Sequence, residues 1–245
     1  MLELNKIYNM DCIVGMQQIP DKSIDMILCD LPYGTTQNKW DSIIPLEQLW
    51  QQYERIIKDN GAIVLTAQAP FDKVLAASNL KLLRYEWIWE KTSATGHLNA
   101  NKMPMKAHEN VLVFYKKLPV YNPQMLPGKP YVNKSGRTTS KNYGKFDSSF
   151  PTENLTGERY PRSVLTFKKD VQKSKIHPTQ KPVALFEYLI KTYTNEGDLV
   201  FDGCSGSGTT AVAAINTNRQ YICMEKEKEY FDKSIERLIR LDGDQ

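Results

Sequence analysis

Leu199-Val-Phe-Asp-Gly-Cys-Ser-Gly-Ser-Gly-Thr-Thr210 reads as a short apolar strand, an acid at its end, and a turn of three glycines that opens a helix. Glycines let a ligand approach the backbone closely, and the free amides at a helix start favour a phosphate or a carboxylate. Three glycine-loop readings compete here. A Walker loop needs GxxxxGK[ST]; Gly203 to Gly208 has that spacing, but Thr209 stands where the lysine must be. A dehydrogenase fingerprint needs GxGxxG; Gly206 and Gly208 supply the first two, but Ala211 takes the third place. The third reading needs an acid at the strand end and a second acid after the next strand to hold ribose hydroxyls. Asp202 and Glu225 stand there, and the interval from Gly208 to Glu225 suits one helix and one strand. A ribose-binding acid alone does not separate this reading from dinucleotide binding.

Outward from this loop, apolar runs alternate with helical patterns. Strands are predicted at 6–8, 24–29, 62–65, 83–89, 110–115, 199–201 and 221–224. Helices are predicted at 46–58, stopping at Asn60-Gly61, and at 71–80, 183–194, 208–217 and 226–240. The alternation predicts an α/β fold, a mainly parallel sheet covered on both faces, with ligands beyond the carboxyl ends of its strands. Trp40, Trp50, Trp87 and Trp89 are expected in the core.

The 245 residues, 41% hydrophobic and 24% charged, have ordinary globular composition, which excludes a largely disordered chain. No apolar run approaches the roughly 20 residues of a membrane helix, and the first residues lack a signal-peptide pattern. Cys12, Cys29, Cys204 and Cys223 form no CxxC pair; they read as reduced thiols, with a cytoplasmic location expected. His97 and His108 lie apart from any cluster with ligand spacing, so no metal is expected. The net charge of +4 conceals a split. Residues 116–175 hold 13 bases and 4 acids, a net of +9, whereas the rest holds 19 bases and 24 acids, a net of −5. The basic block is also rich in Tyr, Asn, Ser and Thr, which supply stacking faces and base-edge hydrogen bonds. A basic block in an acidic body is the layout of a polyanion binder, although a long irregular segment also reads as a solvated surface loop. Ser93 to Asn101, polar and glycine-containing, is a second candidate contact with nucleic acid, and equally an ordinary loop.

Asp30-Leu-Pro-Tyr33 also ends a predicted strand, so its side chains should face the same crevice as the glycine loop. The tetrapeptide alone reads as a turn; its position and its pairing with the loop give it weight. An exocyclic base amine is a poor nucleophile because its lone pair is delocalised into the ring. A carboxylate and a backbone carbonyl that accept its two N–H bonds return density to nitrogen and hold it in line for attack. Proline stiffens the backbone, and Tyr33 offers a face for the base.

With these motifs together, the chain resembles the DNA amino-methyltransferases of the permuted β group, which include site-specific adenine-N6 enzymes. The resemblance covers nearly the whole chain. Asn9-Met-Asp-Cys12 is similar to the N-terminal cofactor-adenine motif and Asp30-Leu-Pro-Tyr33 to the catalytic D-P-P-Y motif. Trp87-Ile-Trp-Glu-Lys91 and His108-Glu-Asn-Val-Leu-Val-Phe114 are similar to segments on the far half of the sheet. His177-Pro-Thr-Gln-Lys-Pro182 precedes the cofactor helix, and Phe201 to Thr210 is similar to the D-P-F-x-G-S-G-T-T loop.

The resemblance implies a Rossmann-like S-adenosylmethionine-dependent methyltransferase sheet in permuted motif order, with seven strands, one of them antiparallel near 110–115. It implies one domain over 1–245 with a target-recognition segment at 119–176. The implied reaction moves a methyl group from S-adenosylmethionine to N6 of an adenine flipped out of double-stranded DNA. The catalytic set would be Asp30, Leu31, Pro32 and Tyr33. The cofactor set would be Asp11, Cys12, Asp30, Lys181, Asp202, Gly203, Cys204, Ser205, Gly206, Ser207, Gly208, Thr209, Glu225 and Lys226. Within it, Asp11 faces the adenine amine, or simply caps the following turn. His177 is expected to be structural. Two departures stand out: Leu31 replaces the first proline of D-P-P-Y, and Gly203-Cys204 replaces the usual Pro-Phe. Leucine still offers the carbonyl, so activity is expected to survive; loss of the Phe wall is expected to alter cofactor affinity. An aspartate rather than a serine at position 30 favours adenine N6 over cytosine N4 on family grounds alone. N4 of cytosine, an RNA base and a non-catalytic DNA-binding relative remain alternatives, and a homodimer and a cognate restriction endonuclease remain open as partners.

Overall fold

The computed structural model describes residues 2–35, 38, 41–133, 152–168 and 180–243. Trp40, residues 134–151 and 169–175 of the basic block, and residues 176–179 with His177 lie outside the described residues. Among the described residues, ten strands and six α-helices follow in chain order: β1 (Lys6–Asn9), α1 (Cys12–Met16), β2 (Ile24–Asp30), α2 (Leu46–Ile56), β3 (Ile57–Ala67), α3 (Phe71–Ser78), β4 (Leu83–Thr95), β5 (Lys106–Phe114), β6 (Tyr131–Asn133), β7 (Thr152–Asn154), β8 (Val164–Phe167), α4 (Val183–Tyr193), β9 (Leu199–Asp202), α5 (Thr209–Asn216), β10 (Gln220–Glu225) and α6 (Lys228–Gly243).

Eight strands form the main sheet in the order β1-β10-β9-β2-β3-β5-β4-β8. Only β5 runs against its neighbours, β3 and β4; the other pairings are parallel. The antiparallel strand falls where expected, but the sheet has eight strands rather than seven. The extra one is β8, which pairs with Ile88 to Lys91 of β4 and accepts a hydrogen bond from the Trp89 indole at the Phe167 carbonyl, 3.0 Å away. Without it β4 would be an edge with its ladder groups unpaired. Four residues of the expected 119–176 segment therefore belong to the sheet.

Strand alternation sorts the core into two layers. Ile27, Cys29, Ile63, Leu65 and Phe201 pack with Leu49, Tyr53, Ile56 and Phe71 of α2 and α3. Met26, Leu28, Val64, Val111 and Val200 face the other way, against Leu185, Phe186 and Leu189 of α4 and the alanines of α5. Burial on both faces explains why these strands read as continuous apolar runs. One boundary differs from expectation: α2 ends at Ile56, before Asn60-Gly61, because Ile57 is buried and already pairs with Ile24. A register shift then follows, and Lys58 Nζ lies 2.6 Å from Asp25 within it.

The chain divides into two compact units, one of Met1–Asn122 with Ser163–Gln245 and one of Pro123–Arg162. In the small unit β6 and β7 pair antiparallel, and Leu126 and Arg159 exchange backbone hydrogen bonds of 2.8 Å. The Arg159 guanidinium stands 4.7 Å from the centre of the Tyr131 ring. In the large unit, the chain runs from β2 through α2 to one side of the sheet, and from β9 through α5 to the other. The adjacent pair β2 and β9 is thus the topological switch point, where a crevice opens beyond the strand ends.

Candidate active site

A cavity of about 190 Å³ occupies that crevice. Asp30-Leu-Pro-Tyr33 from the end of β2 forms one wall, and residues 202–207 with Thr209 and Thr210 form another. Asp11, Cys12, Lys181, Glu225 and Lys226 also line it. Of the sequence-predicted site residues only Gly208 does not line the cavity.

The glycine-loop end is built from backbone. Glu225 ends β10, and its carboxylate accepts 2.8 Å hydrogen bonds from the amides of Gly206 and Glu227, one on each oxygen. Burial raises its pKa, and those amides only partly offset the effect. Asp202 is buried at the end of β9 and accepts from the Cys204 amide at 2.9 Å and from the Thr210 hydroxyl. Burial pushes Asp202 up to about 6 despite those donors. Gly208 turns the chain with φ +74°, and a Cβ there would come within 3.2 Å of Ser234 Cβ. A Cβ on Gly203 would lie 3.0 Å from Cys12 Cβ, so Cys12 fills the space that the family's proline would need.

Asp11 caps α1, accepting from the Ile13 amide at 3.0 Å, while its second oxygen lies 3.4 Å from Lys226 Nζ. Both side chains of that ion pair are well exposed, so it contributes little stability. The loop is braced from below by Arg237 of α6, which donates to the Ser207 carbonyl at 3.0 Å and lies 3.2 Å from Thr209 Oγ1. Sequence gave no sign of Arg237, since it meets the loop from 30 residues away.

The Asp30 end is built from side chains. Asp30 Oδ1 accepts from the Tyr33 hydroxyl at 2.8 Å and from the Thr66 hydroxyl; Oδ2 accepts from Lys181 Nζ at 2.6 Å. Lys181 also lies 3.3 Å from Glu109 Oε2, and Lys91 Nζ lies 2.6 Å from Glu109 Oε1. Burial pulls the Lys181 pKa down, but Asp30 and Glu109 hold it above the ordinary lysine value. Burial likewise opposes charge on Glu109, yet Lys181 and Lys91 hold its pKa below the usual value. Tyr33 stays protonated, because burial and then the Asp30 and Glu109 charges push its pKa well up. Its ring stacks on Phe71, with centroids 5.5 Å apart. The turn after Tyr33 is clasped by Asp41, which accepts from the amides of Gly34 at 2.8 Å and Thr35 at 2.9 Å.

The structure places the Lys181 ammonium on Asp30 and Glu109. Glu109 and Lys91 were missed as site residues, although both stand in motifs that carried the resemblance. A nucleoside with a charged amino-acid tail fits the polar groups present. Glu225 suits vicinal hydroxyls, Asp202 suits an amino cation, and the buried Ser205 hydroxyl has no partner among the described residues. Among the described residues no group of three or more His, Cys, Asp or Glu could hold a metal, and no helix is long and apolar enough to cross a membrane.

A family model described as DNA methylase matches residues 24–236. The type II methyltransferase M.BglII of Bacillus subtilis is 32% identical over 255 residues, spanning 94% of this chain and 67% of the relative. M1.MboII of Moraxella bovis is 28% identical, spanning 96% of each. Among solved structures, the M1.HpyAVI–SAM complex matches with a TM-score of 0.66 at 25% identity, covering 95% of this chain and 98% of that one. The PvuII DNA methyltransferase, specific for cytosine N4, matches with a TM-score of 0.71 at 17% identity, covering 95% and 85%; at that identity it speaks for the fold alone.

Proposed function

The chain belongs to the N6/N4 DNA methylase family, and on that premise we propose that it transfers a methyl group from S-adenosylmethionine to N6 of adenine in double-stranded DNA. One observation carries the proposal: Asp30 and the glycine loop, more than 170 residues apart in sequence, line the same cavity at the switch point. When bound, S-adenosylmethionine supplies a methyl group made electrophilic by its sulfonium. Glu225 would hold the ribose hydroxyls, Asp202 and the loop the methionine end, and Asp11 with Cys12 the adenine side. Asp30 Oδ1 already accepts two donors and Oδ2 one, which leaves an acceptor direction on Oδ2 for an N–H of the target amine among the described residues. The Leu31 carbonyl would take the second N–H, so the lone pair points at the methyl group. Reaching this site requires the base to leave the stack, with Tyr33, backed by Phe71, beside it.

The reading of the insert, roughly 119–176, as the recognition segment is supported by its net charge of +7, suited to phosphate contacts. Adenine rather than cytosine rests on the aspartate at position 30. Digesting DNA methylated by the purified protein and identifying the modified nucleoside tests this: N6-methyl-2′-deoxyadenosine is expected, and N4-methyl-2′-deoxycytidine would overturn the base assignment.

A further inference from the structure

Asp30, Thr66, Glu109 and Lys91 lie on β2, β3, β5 and β4, four consecutive neighbours in the sheet, and Lys181 reaches the same row from just before α4. Cation and anion alternate along it: Lys91, Glu109, Lys181, Asp30, with separations of 2.6, 3.3 and 2.6 Å. The row is buried at its far end and opens only at Asp30; the side chains of Lys91, Lys181 and Glu109 are 4, 6 and 11% exposed, that of Asp30 23%. Buried charge is costly unless each member is paired, so losing one member strands its neighbours. The methyl-transfer chemistry uses Asp30 alone and leaves the other three charges without a role. Replacing a buried ion pair by well-packed hydrophobic residues is often neutral or stabilising, so stability does not account for the row, and its place beside Asp30 points to a role at the site.

We propose that Glu109 is a positioning residue for methyl transfer: anchored by Lys91, it holds the Lys181 ammonium on Asp30 Oδ2 and thereby fixes the carboxylate rotamer that receives the amine. With Oδ1 fixed by Tyr33 and Thr66, and one lone pair of Oδ2 by Lys181, the remaining acceptor direction is set by geometry before the base arrives. Pre-orientation of this kind removes a reorganisation step from the reaction. Lys181 also stands 5.3 Å from the centre of the Tyr33 ring, so the same ammonium braces the wall beside the base. Among the described residues, the charged and titratable groups facing Lys181 are Asp30, Glu109 and Tyr33, and Lys91 faces Glu109 from the far side. Removing Glu109 takes away one of the two anions that hold the Lys181 proton against burial. The proton is then lost as pH rises, at a lower pH than in the native protein, and its grip on Asp30 is lost with it.

The inference rests on the proposed methyl transfer, and Glu109→Gln and Glu109→Asp test it in the full-length protein. For Glu109→Gln, kcat is expected to fall about 10- to 100-fold, with S-adenosylmethionine affinity within about threefold of native. Its alkaline loss of activity should move to lower pH, and Glu109→Asp should restore both kcat and the native pH profile in large part. In protein labelled with ¹³C-lysine, the Lys181 Cε resonance, assigned with Lys181→Met, should stay in its protonated position to higher pH than an ordinary lysine in the native protein and titrate earlier in Glu109→Gln. A Glu109→Gln protein with native kcat and pH profile would overturn the role while leaving the methyl-transfer reading intact. So would a loss that appears equally in cofactor affinity and is not rescued by Glu109→Asp. Native protein that methylates neither adenine nor cytosine would instead sink the functional reading itself.

Discussion

Asp30 and Asp202 end adjacent strands and face one cavity, yet they are held in opposite ways. Asp202 accepts from the Cys204 amide of the glycine loop and from the Thr210 hydroxyl at the start of α5, Glu225 accepts from the amides of Gly206 and Glu227, and burial raises both acids above their ordinary pKa. Asp30 takes its bonds from side chains of Tyr33, Thr66 and Lys181, and a buried cation balances its charge. The first arrangement suits a ligand that brings its own positive charge, because an acid poised near 6 gains from an amino cation. The second suits a neutral amine that becomes positive only during reaction, because the acceptor must be ionised and oriented beforehand. On the proposed function, one end binds and the other reacts.

The sharpest way to break this division is Asp30→Ala, which should abolish methyl transfer, by about a thousandfold or more in kcat; near-native activity on adenine would remove Asp30 from the mechanism. Tyr33→Phe keeps the ring on Phe71 and deletes one donor to Asp30 Oδ1. A loss of about tenfold in kcat is expected, and a loss as large as that of Asp30→Ala would mean the hydroxyl does more than orient. Asp202→Asn probes the other end through pH. The free protein holds this acid at about 6, above its ordinary value, and a cationic ligand favours its ionised form. Cofactor affinity should therefore weaken as pH falls below about 6, approaching tenfold per unit, and calorimetry on Asp202→Asn should give a flatter profile. The smallest effect is expected from Leu31→Pro, within about twofold of native kcat, since either residue offers the same carbonyl.

The same contrast explains what could be read in the sequence. Strand, acid, glycines and helix are contiguous from Leu199 to Thr210, so local spacing exposes them, and Glu225 follows one helix and one strand later. Asp30-Leu-Pro-Tyr33 is equally local. The distant groups around Asp30 are not: Thr66 and Glu109 are brought near by sheet order and Lys181 by the chain entering α4, which a single sequence does not display. The His108-Glu-Asn segment marked Glu109 only by resemblance, and nothing marked Arg237 beneath the loop. Strand β8 was hidden for another reason, because Val164–Phe167 is a four-residue, half-exposed edge inside a polar, basic stretch. The end of α2 was misplaced because Asn60-Gly61 imitates a helix stop, whereas the chain had already entered β3 at Ile57.

The claim that one end binds and the other reacts is tested most directly by titrating S-adenosylmethionine into Asp30→Ala and Glu225→Ala side by side with the native protein. The account predicts that Asp30→Ala binds within about threefold of native, while Glu225→Ala, which loses an acid suited to ribose hydroxyls and frees the Gly206 and Glu227 amides, binds at least about tenfold more weakly. Weakened binding in Asp30→Ala with native affinity in Glu225→Ala would contradict it.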